Sequence, residues 1–411
     1  MHMRVLFYNA APINRCEIMR AMLRAAIALS MMAGGGALSC APWLEAYTRF
    51  HEAGRLDDTA QTFTIMKRGH QGIGYGDTFR VMLWGLRYAA ATNRVLYISA
   101  EQTPIPFLDI MEPSTIDWRF PSASIAAEIA AETPIESRLL TLHDQAALRT
   151  RRHVVSDGIN QADQEVWHDS PPVEFDVNVS LPSSDMHCLW RSLFRPSTKL
   201  EAALHEERST RPRDFTSIHI RSGGLRGEMS RIDRGDPIHM VVGSLYCARA
   251  WGYPIYMAAS DFTLRRAVNE GAFEGVTGPS EAWAIHAALD TSSTPEEHYR
   301  TLVEIGMLSA GRCIVVSSSG FSNVALWWGG QTSCARYVGI PPVRWGAQPP
   351  EPLPECHDQL VAAMTAECAA SLGAAELQLA SALRDGTATT RREAASRVDN
   401  IVTTCGGALS S

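Results

Sequence analysis

Ser217-Ile218-His219-Ile220-Arg221-Ser222-Gly223-Gly224 runs from a short apolar–polar alternation into a pair of glycines. The pattern predicts a buried strand that delivers a histidine and an arginine, two residues apart, into a glycine turn. Side chains on a strand alternate between faces, so His219 and Arg221 share one. A guanidinium and an imidazole beside an open backbone turn have the chemistry to grip a diphosphate. The same residues also fit a half-buried strand whose two polar side chains are satisfied inside the fold. The choice depends on the rest of the chain.

Around this stretch, short apolar runs alternate with helical patterns. A strand over 215–221 leads to a helix over 238–251. A strand over 254–259 then ends in Ser260-Asp261, before a helix over 262–270. A helix over 295–308 precedes a strand over 313–317, a serine-rich turn over 318–322 and a helix over 323–328. The upstream half reads similarly: helix 43–56, strand 62–67, a glycine turn over 70–77, helix 79–91 and strand 94–99. Strand, turn, helix and strand make a βαβ unit with a parallel sheet. The fold class is therefore α/β, with two Rossmann-like domains facing a cleft. Ligands bind such sheets at the carboxyl ends of the strands. Residues 122–185 carry no readable pattern. A helix beginning at Leu189 breaks at Pro196 and restarts after Ser197, an N-cap candidate. The polar run 206–214 reads as a linker. The expected domains are 43–205 and 206–340. A proline-rich linker and an alanine-rich tail follow over 341–411, helical over 357–384 and poorly ordered in its last 25 or so residues.

The chain has 411 residues, 45% of them hydrophobic, and a net charge of −7. That excess of acid argues against a general nucleic-acid binder, whose affinity comes from neutralising phosphates. Residues 1–42 read as a signal peptide or single membrane anchor: Arg15, Arg20 and Arg24 flank an uncharged apolar run over 25–38. An N-terminal core helix is the alternative. Nine cysteines are present. Removal of a leader before Cys40 leaves eight, an even number suited to disulfides in an oxidising lumen. No Cys-x-x-Cys occurs, which argues against a zinc site of that type. Cys247 and Cys313 lie in apolar runs and read as buried thiols.

Four turns follow strands: 72–77, 221–224, Ser260-Asp261 and 317–322. Helix N-termini and backbone N–H groups converge at such places and favour anions. Gly74 and Gly76 form only a fragment of a dinucleotide fingerprint and also suit an ordinary tight turn. Asp261 could accept hydrogen bonds from a base or sugar, or simply cap the following helix. Ser317, Ser318, Ser319 and Ser322 could donate to phosphate oxygens or cap a helix. There is no P-loop sequence and no Asp-x-Asp pair. Without paired carboxylates for a metal, Arg221 is left to carry diphosphate charge.

In chain order these pieces resemble the fucosyltransferase superfamily with a GT-B-like fold, which includes the xyloglucan, nodulation, core and protein-O-fucosyl types. Gly74-Tyr75-Gly76-Asp77 and Ala91-Thr92-Asn93-Arg94-Val95-Leu96 resemble its glycine loop and TNRVL segment. Leu193-Phe194-Arg195-Pro196-Ser197 is similar to its LF-x-PS element, and His219-Ile220-Arg221 to its H-x-R signature. Ala259-Ser260-Asp261 and residues 317–325 are similar to two further strand ends.

The resemblance implies a GDP-fucose donor, a glycan or glycoprotein acceptor, inversion, no metal or other cofactor, and a secretory-pathway location such as the Golgi. It implies that Arg221 binds the β-phosphate and that His219 contacts the nucleotide. Asp261 would read the guanine edge. Ser319, Phe321, Ser322 and Asn323 would line the diphosphate, with Gly74, Gly76 and Asp77 across the cleft near the sugar. Glu228 stands where the core type has its catalytic glutamate, although a solvated loop glutamate fits equally. His286 matches a histidine of some relatives, or is a helix-face residue. The chain departs from the pattern at Asp77-Thr78, where Asn-Arg is usual, and at Ser222, where the core type has a second arginine. These departures leave open another nucleotide-sugar donor, or a non-catalytic relative that binds glycan or nucleotide.

Overall fold

The computed structural model describes residues 40, 42–66, 74–99, 105–135, 150–156, 183–222, 237–279, 294–317, 319–331, 334–338 and 356–405. The chain divides into two compact units, residues 1–40 and 41–411. Every element below belongs to the second.

Helix α1 (Pro42–Gly54) precedes β1 (Thr62–Met66), α2 (Tyr75–Ala91) and β2 (Val95–Ser99). β1 and β2 run parallel, from Thr62↔Val95 to Met66↔Ser99, which is the expected βαβ unit. β3 (Met111–Pro113) follows, and the unreadable region 122–185 contains α3 (Ala123–Ala131) and β4 (His153–Ser156). β4 pairs parallel with the other edge of β1, giving the order β2-β1-β4. Helix α4 (Ser183–Leu193) runs into β5 (Phe194–Pro196), which pairs antiparallel with β3. Ser197 caps α5 (Thr198–Ser209), its Oγ accepting the Leu200 N–H at 3.1 Å, as the sequence suggests. α5 extends into the first part of the expected linker.

The second half holds β6 (Thr216–Ile220), α6 (Pro237–Ala250), β7 (Ile255–Ala259), α7 (Phe262–Asn269), β8 (Val276–Thr277), α8 (Pro295–Ser309), β9 (Cys313–Ser317), α9 (Gly320–Gly329) and β10 (Ala335–Val338). Its sheet is parallel throughout, in the order β10-β9-β6-β7-β8. All five residues of the central β6 are buried, because helices cover both faces of such a sheet. Ile218, Ile220, Met257 and Val315 enter one core, while Tyr256, Ala258, Ile314 and Val316 enter the other.

That other core is shared with the first sheet. Its aromatic centre joins α2, α4, β5 and α9. Phe79 lies 4.9 Å from Trp190 and 5.5 Å from Phe194, centroid to centroid, and Trp190 stacks on Trp328 at 5.4 Å. Such pairs contribute about 0.5–1.5 kcal/mol each beyond area burial.

The chain ends in α10 (Cys356–Ala362), α11 (Ala366–Asp385) and α12 (Ala388–Cys405). The last 25 or so residues were expected to be poorly ordered, but α12 is a helix through Cys405. Its partners lie far away in sequence. Arg391 Nε donates to Glu270 at 2.8 Å, Arg249 grips both oxygens of Asp399 at 2.6 and 2.7 Å, and Cys368 bonds to Cys405. Leu360, Leu372, Leu379 and Val398 bury against Met240, Leu245 and Leu264 of α6 and α7.

Two cysteine expectations are overturned. Cys247 bonds to Cys356 and Cys313 to Cys334, so neither is a buried thiol. Their apolar neighbours reflect strand and helix burial, which shields a disulfide as readily as a thiol. Cys40 and Cys188 are disulfide-bonded as well. Among the described residues, no helix is long and apolar enough to cross a membrane.

Candidate functional site

Every described candidate lies at the carboxyl end of a parallel strand or at the start of the helix that follows it. Two helices begin earlier than their periodicity suggests. α2 starts at Tyr75 with Gly74 as an extended N-cap, and α9 starts at Gly320 with Ser319 as its N-cap, accepting the Phe321 N–H at 3.3 Å. Gly76, Asp77, Phe321, Ser322 and Asn323 therefore sit in first turns of helices rather than in loops.

His219 belongs to β6, opposite Ala258 on one side and Val316 on the other. Its Nδ1 lies 2.5 Å from Ser322 Oγ, and its ring stacks on Phe321 with centroids 4.8 Å apart and planes 26° apart. Ser322 is fully buried and Asn323 nearly so. The first turn of α9 is thus fastened to the central strand through the histidine.

Arg221 follows the strand and is buried, at 6% exposure. The first two amides of the expected turn are engaged rather than open. The Arg221 N–H donates to Ser317 Oγ at 2.7 Å and the Ser222 N–H to Ser260 Oγ at 3.1 Å. Ser317 ends β9 and Ser260 follows β7, so the exit of β6 is pinned on both sides. A hydroxyl that accepts an N–H keeps its own proton to donate. Ser222 Oγ is itself buried with no hydrogen-bond partner among the described residues.

Asp261 caps α7. Its Oδ1 accepts the Leu264 N–H at 2.9 Å and the Thr263 hydroxyl. Both of these bonds fall on one oxygen of a half-buried carboxylate, so capping leaves Oδ2 for another donor.

The first sheet reaches this edge through α2. A Cβ placed on Gly76 would stand 2.3 Å from the Gly320 carbonyl carbon and 2.4 Å from the Phe321 nitrogen. The first turns of α2 and α9 therefore touch backbone to backbone. Asp77 lies beside them and pairs with Arg80 at 3.4 Å. Arg80 is buried, a second guanidinium at this seam, and its place one turn inside the helix was the signal for it. Tyr75 was also missed. Its ring meets His298 edge-on at 5.9 Å, and burial pushes its hydroxyl pKa well up.

The structure thus joins Gly74, Gly76, Asp77, His219, Arg221, Ser319, Phe321, Ser322 and Asn323 into one contiguous seam, with Asp261 linked through Ser260. Glu228, His286, Ser318, Gly223 and Gly224 lie outside the described residues. Three helices, α2, α7 and α9, begin along this edge. Their N-terminal partial charges and the two buried guanidiniums favour an anion there.

No family model matches the chain, and no curated protein does. Its structure is similar to those of fucosyltransferases. The NodZ alpha-1,6-fucosyltransferase of Bradyrhizobium, soaked with GDP-fucose, is 14% identical, with 65% of this chain and 92% of that chain covered and a TM-score of 0.42. FUT1 of Arabidopsis thaliana, in complex with GDP, is 13% identical, with 82% of each chain covered and a TM-score of 0.41. POFUT1 is 9% identical, with 69% of this chain and 99% of that chain covered and a TM-score of 0.38.

Proposed function

We propose that the chain is a GT-B-like glycosyltransferase that passes fucose from GDP-fucose to a hydroxyl of a glycan or glycoconjugate, with inversion and without a metal. The observation that carries this reading is the His219–Ser322–Phe321 cluster. It holds the α9 N-terminus against the strand that leads into Arg221, which makes a preorganised cradle for a diphosphate.

In this reading Arg221 and the α9 N-terminus neutralise the β-phosphate as the bond from its oxygen to the sugar C1 breaks. Preorganised charge of this kind acts on the transition state without reorganisation. Ser317 and Ser319 donate to phosphate oxygens, while His219 and Phe321 present a flat surface to the nucleotide. Asp261 Oδ2 accepts from the guanine edge. Gly74, Gly76 and Asp77 approach the sugar, and Arg80 supplies the second positive charge that Ser222 does not. The acceptor oxygen attacks C1 from the opposite face as a base takes its proton, and Glu228 is assigned that role. His286 is proposed to lie with the donor.

The domains are proposed as 43–205 on the acceptor side and 206–340 on the donor side, after a leader over 1–42. The disulfides fit a secretory-pathway protein, and the Golgi is the proposed site of action.

The test is release of GDP from GDP-fucose by the purified protein over a panel of acceptors, with GDP binding followed by calorimetry. Turnover and binding lost together in Arg221→Ala support the reading. Binding without turnover on any acceptor favours a non-catalytic relative. Indifference to every guanine nucleotide, with response to another nucleotide sugar, moves the donor elsewhere.

A further inference from the structure

The geometry points to a zinc site made by His239, His357 and Glu376, which clamps the C-terminal helices onto α6. One ligand atom from each lies within 4.8 Å of the others. His357 Nε2 stands 2.9 Å from Glu376 Oε1, and His239 Nε2 stands 3.5 Å from Oε2. In a tetrahedral zinc centre with bonds of about 2.0–2.1 Å, neighbouring donor atoms are about 3.3 Å apart. The two histidine-to-carboxylate separations are already close to that spacing. The two imidazoles stack at 4.2 Å with planes 16° apart, and because lone pairs in near-parallel ring planes do not converge, binding an ion turns the half-exposed His239 ring out of the stack.

The site is built on fixed elements. His239, Gly243 and Cys247 recur every four residues on one face of α6, and α10 lies along that face. Cys247 is bonded to Cys356, the residue before His357. Gly243 admits the backbone of α10 so closely that a Cβ there would meet His357 N at 2.7 Å. A disulfide and a glycine contact thus set His357 opposite His239. Glu376 arrives from α11. It and His357 are buried, whereas the His239 side chain is 48% exposed and gives an ion a way in from solvent. A metal site needs both a held ligand set and such access.

Two imidazoles and one carboxylate suit zinc or another first-row metal. Calcium and magnesium prefer oxygen alone. Thiols do not compete among the described residues, because all their cysteines are in disulfides. No step of the proposed transfer passes through this metal. It closes a third link between α6 and the C-terminal helices, beside the disulfide and the Arg249–Asp399 pair. The ligands are scattered along the sequence, so no motif announces them.

The experiment uses the full chain, freed of metal by a chelator and dialysed, then titrated with Zn2+ by calorimetry and with Co2+ by visible absorption. One Zn2+ per chain is expected, with Co2+ giving the d–d bands of a low-coordinate nitrogen–oxygen site. Zn2+ is expected to raise the thermal midpoint, since an ion that binds only the native state stabilises it by mass action. His239→Ala removes a half-exposed ring and Glu376→Gln preserves shape. Each is expected to weaken Zn2+ at least about tenfold and to abolish its thermal effect. The Co2+ spectrum of the unaltered protein tests the site without relying on any variant to fold. Absence of Zn2+ binding, or equal affinity in the unaltered protein and His239→Ala, overturns the proposal and leaves a hydrogen-bonded His–Glu–His cluster only.

Discussion

Gly76 and Gly320 meet with no room for a side chain between them, so the two α/β halves touch through bare backbone at the candidate site. A methyl group on Gly76 meets main-chain atoms at 2.3 and 2.4 Å, whereas one on Gly320 first meets the Asp77 carboxylate at 3.0 Å. Backbone cannot yield and a side chain can. Gly76→Ala is therefore expected to destabilise the fold by about 1–3 kcal/mol, to separate α2 from α9 and to weaken donor binding. Gly320→Ala is expected to cost clearly less. Thermal midpoints and GDP titrations of the pair give the comparison, and equal effects would contradict the contact.

Arg221→Ala is expected to lower turnover about 10²–10³-fold, and Arg221→Lys to recover only part of it, because an ammonium lacks the planar fork. Steady-state rates of GDP release measure both. Near-normal turnover in Arg221→Ala would remove the residue from the reaction.

Removing Ser322 takes from His219 Nδ1 the hydroxyl it meets at 2.5 Å. Ser322→Ala is expected to cost about 1–3 kcal/mol and to loosen GDP binding, because the first turn of α9 loses its tie to β6. Denaturant midpoints and calorimetry supply the readouts. Unchanged GDP affinity would show that the tie does not shape the site.

The alternation that placed β1, β2, β6, β7 and β9 was legible because a parallel strand buried on both faces must be short and apolar. His219, Arg221 and Asp261 were legible because strand ends collect polar residues. The contact of Gly76 with Gly320 was not, since it depends on how two distant helices pack. The closed amides of Arg221 and Ser222 were missed for the same reason: their acceptors, Ser317 and Ser260, lie on other strands. α12 read as uncommitted because Arg391 and Asp399 find their counter-charges on α6 and at the end of α7. Cys247 and Cys313 misled because local hydrophobicity is blind to a distant sulfur.

His51 sits buried between α1 and β2, with Nε2 2.9 Å from the Leu96 carbonyl oxygen. Burial pushes its pKa from 6.5 down to about 4. The unfolded chain therefore takes up a proton below pH 6.5 that the folded chain refuses until about pH 4. This contribution is complete above pH 6.5 and is lost as the pH falls through that window, by about 3 kcal/mol at its lower end. Urea midpoints measured across the window are expected to fall with pH, and less steeply in His51→Gln. Identical slopes would assign the acid sensitivity to other groups.

The Cys247–Cys356 bond joins residues 109 positions apart, from the end of α6 to the start of α10. Within it lie Asp261, Ser317, Ser319, Phe321, Ser322 and Asn323, so one side of the candidate site is carried on a covalent ring. A protease that cuts any single bond inside that ring releases nothing. The two pieces migrate together on a denaturing gel until a reductant parts them, and limited digestion of this protein is readable only when each sample is run both ways.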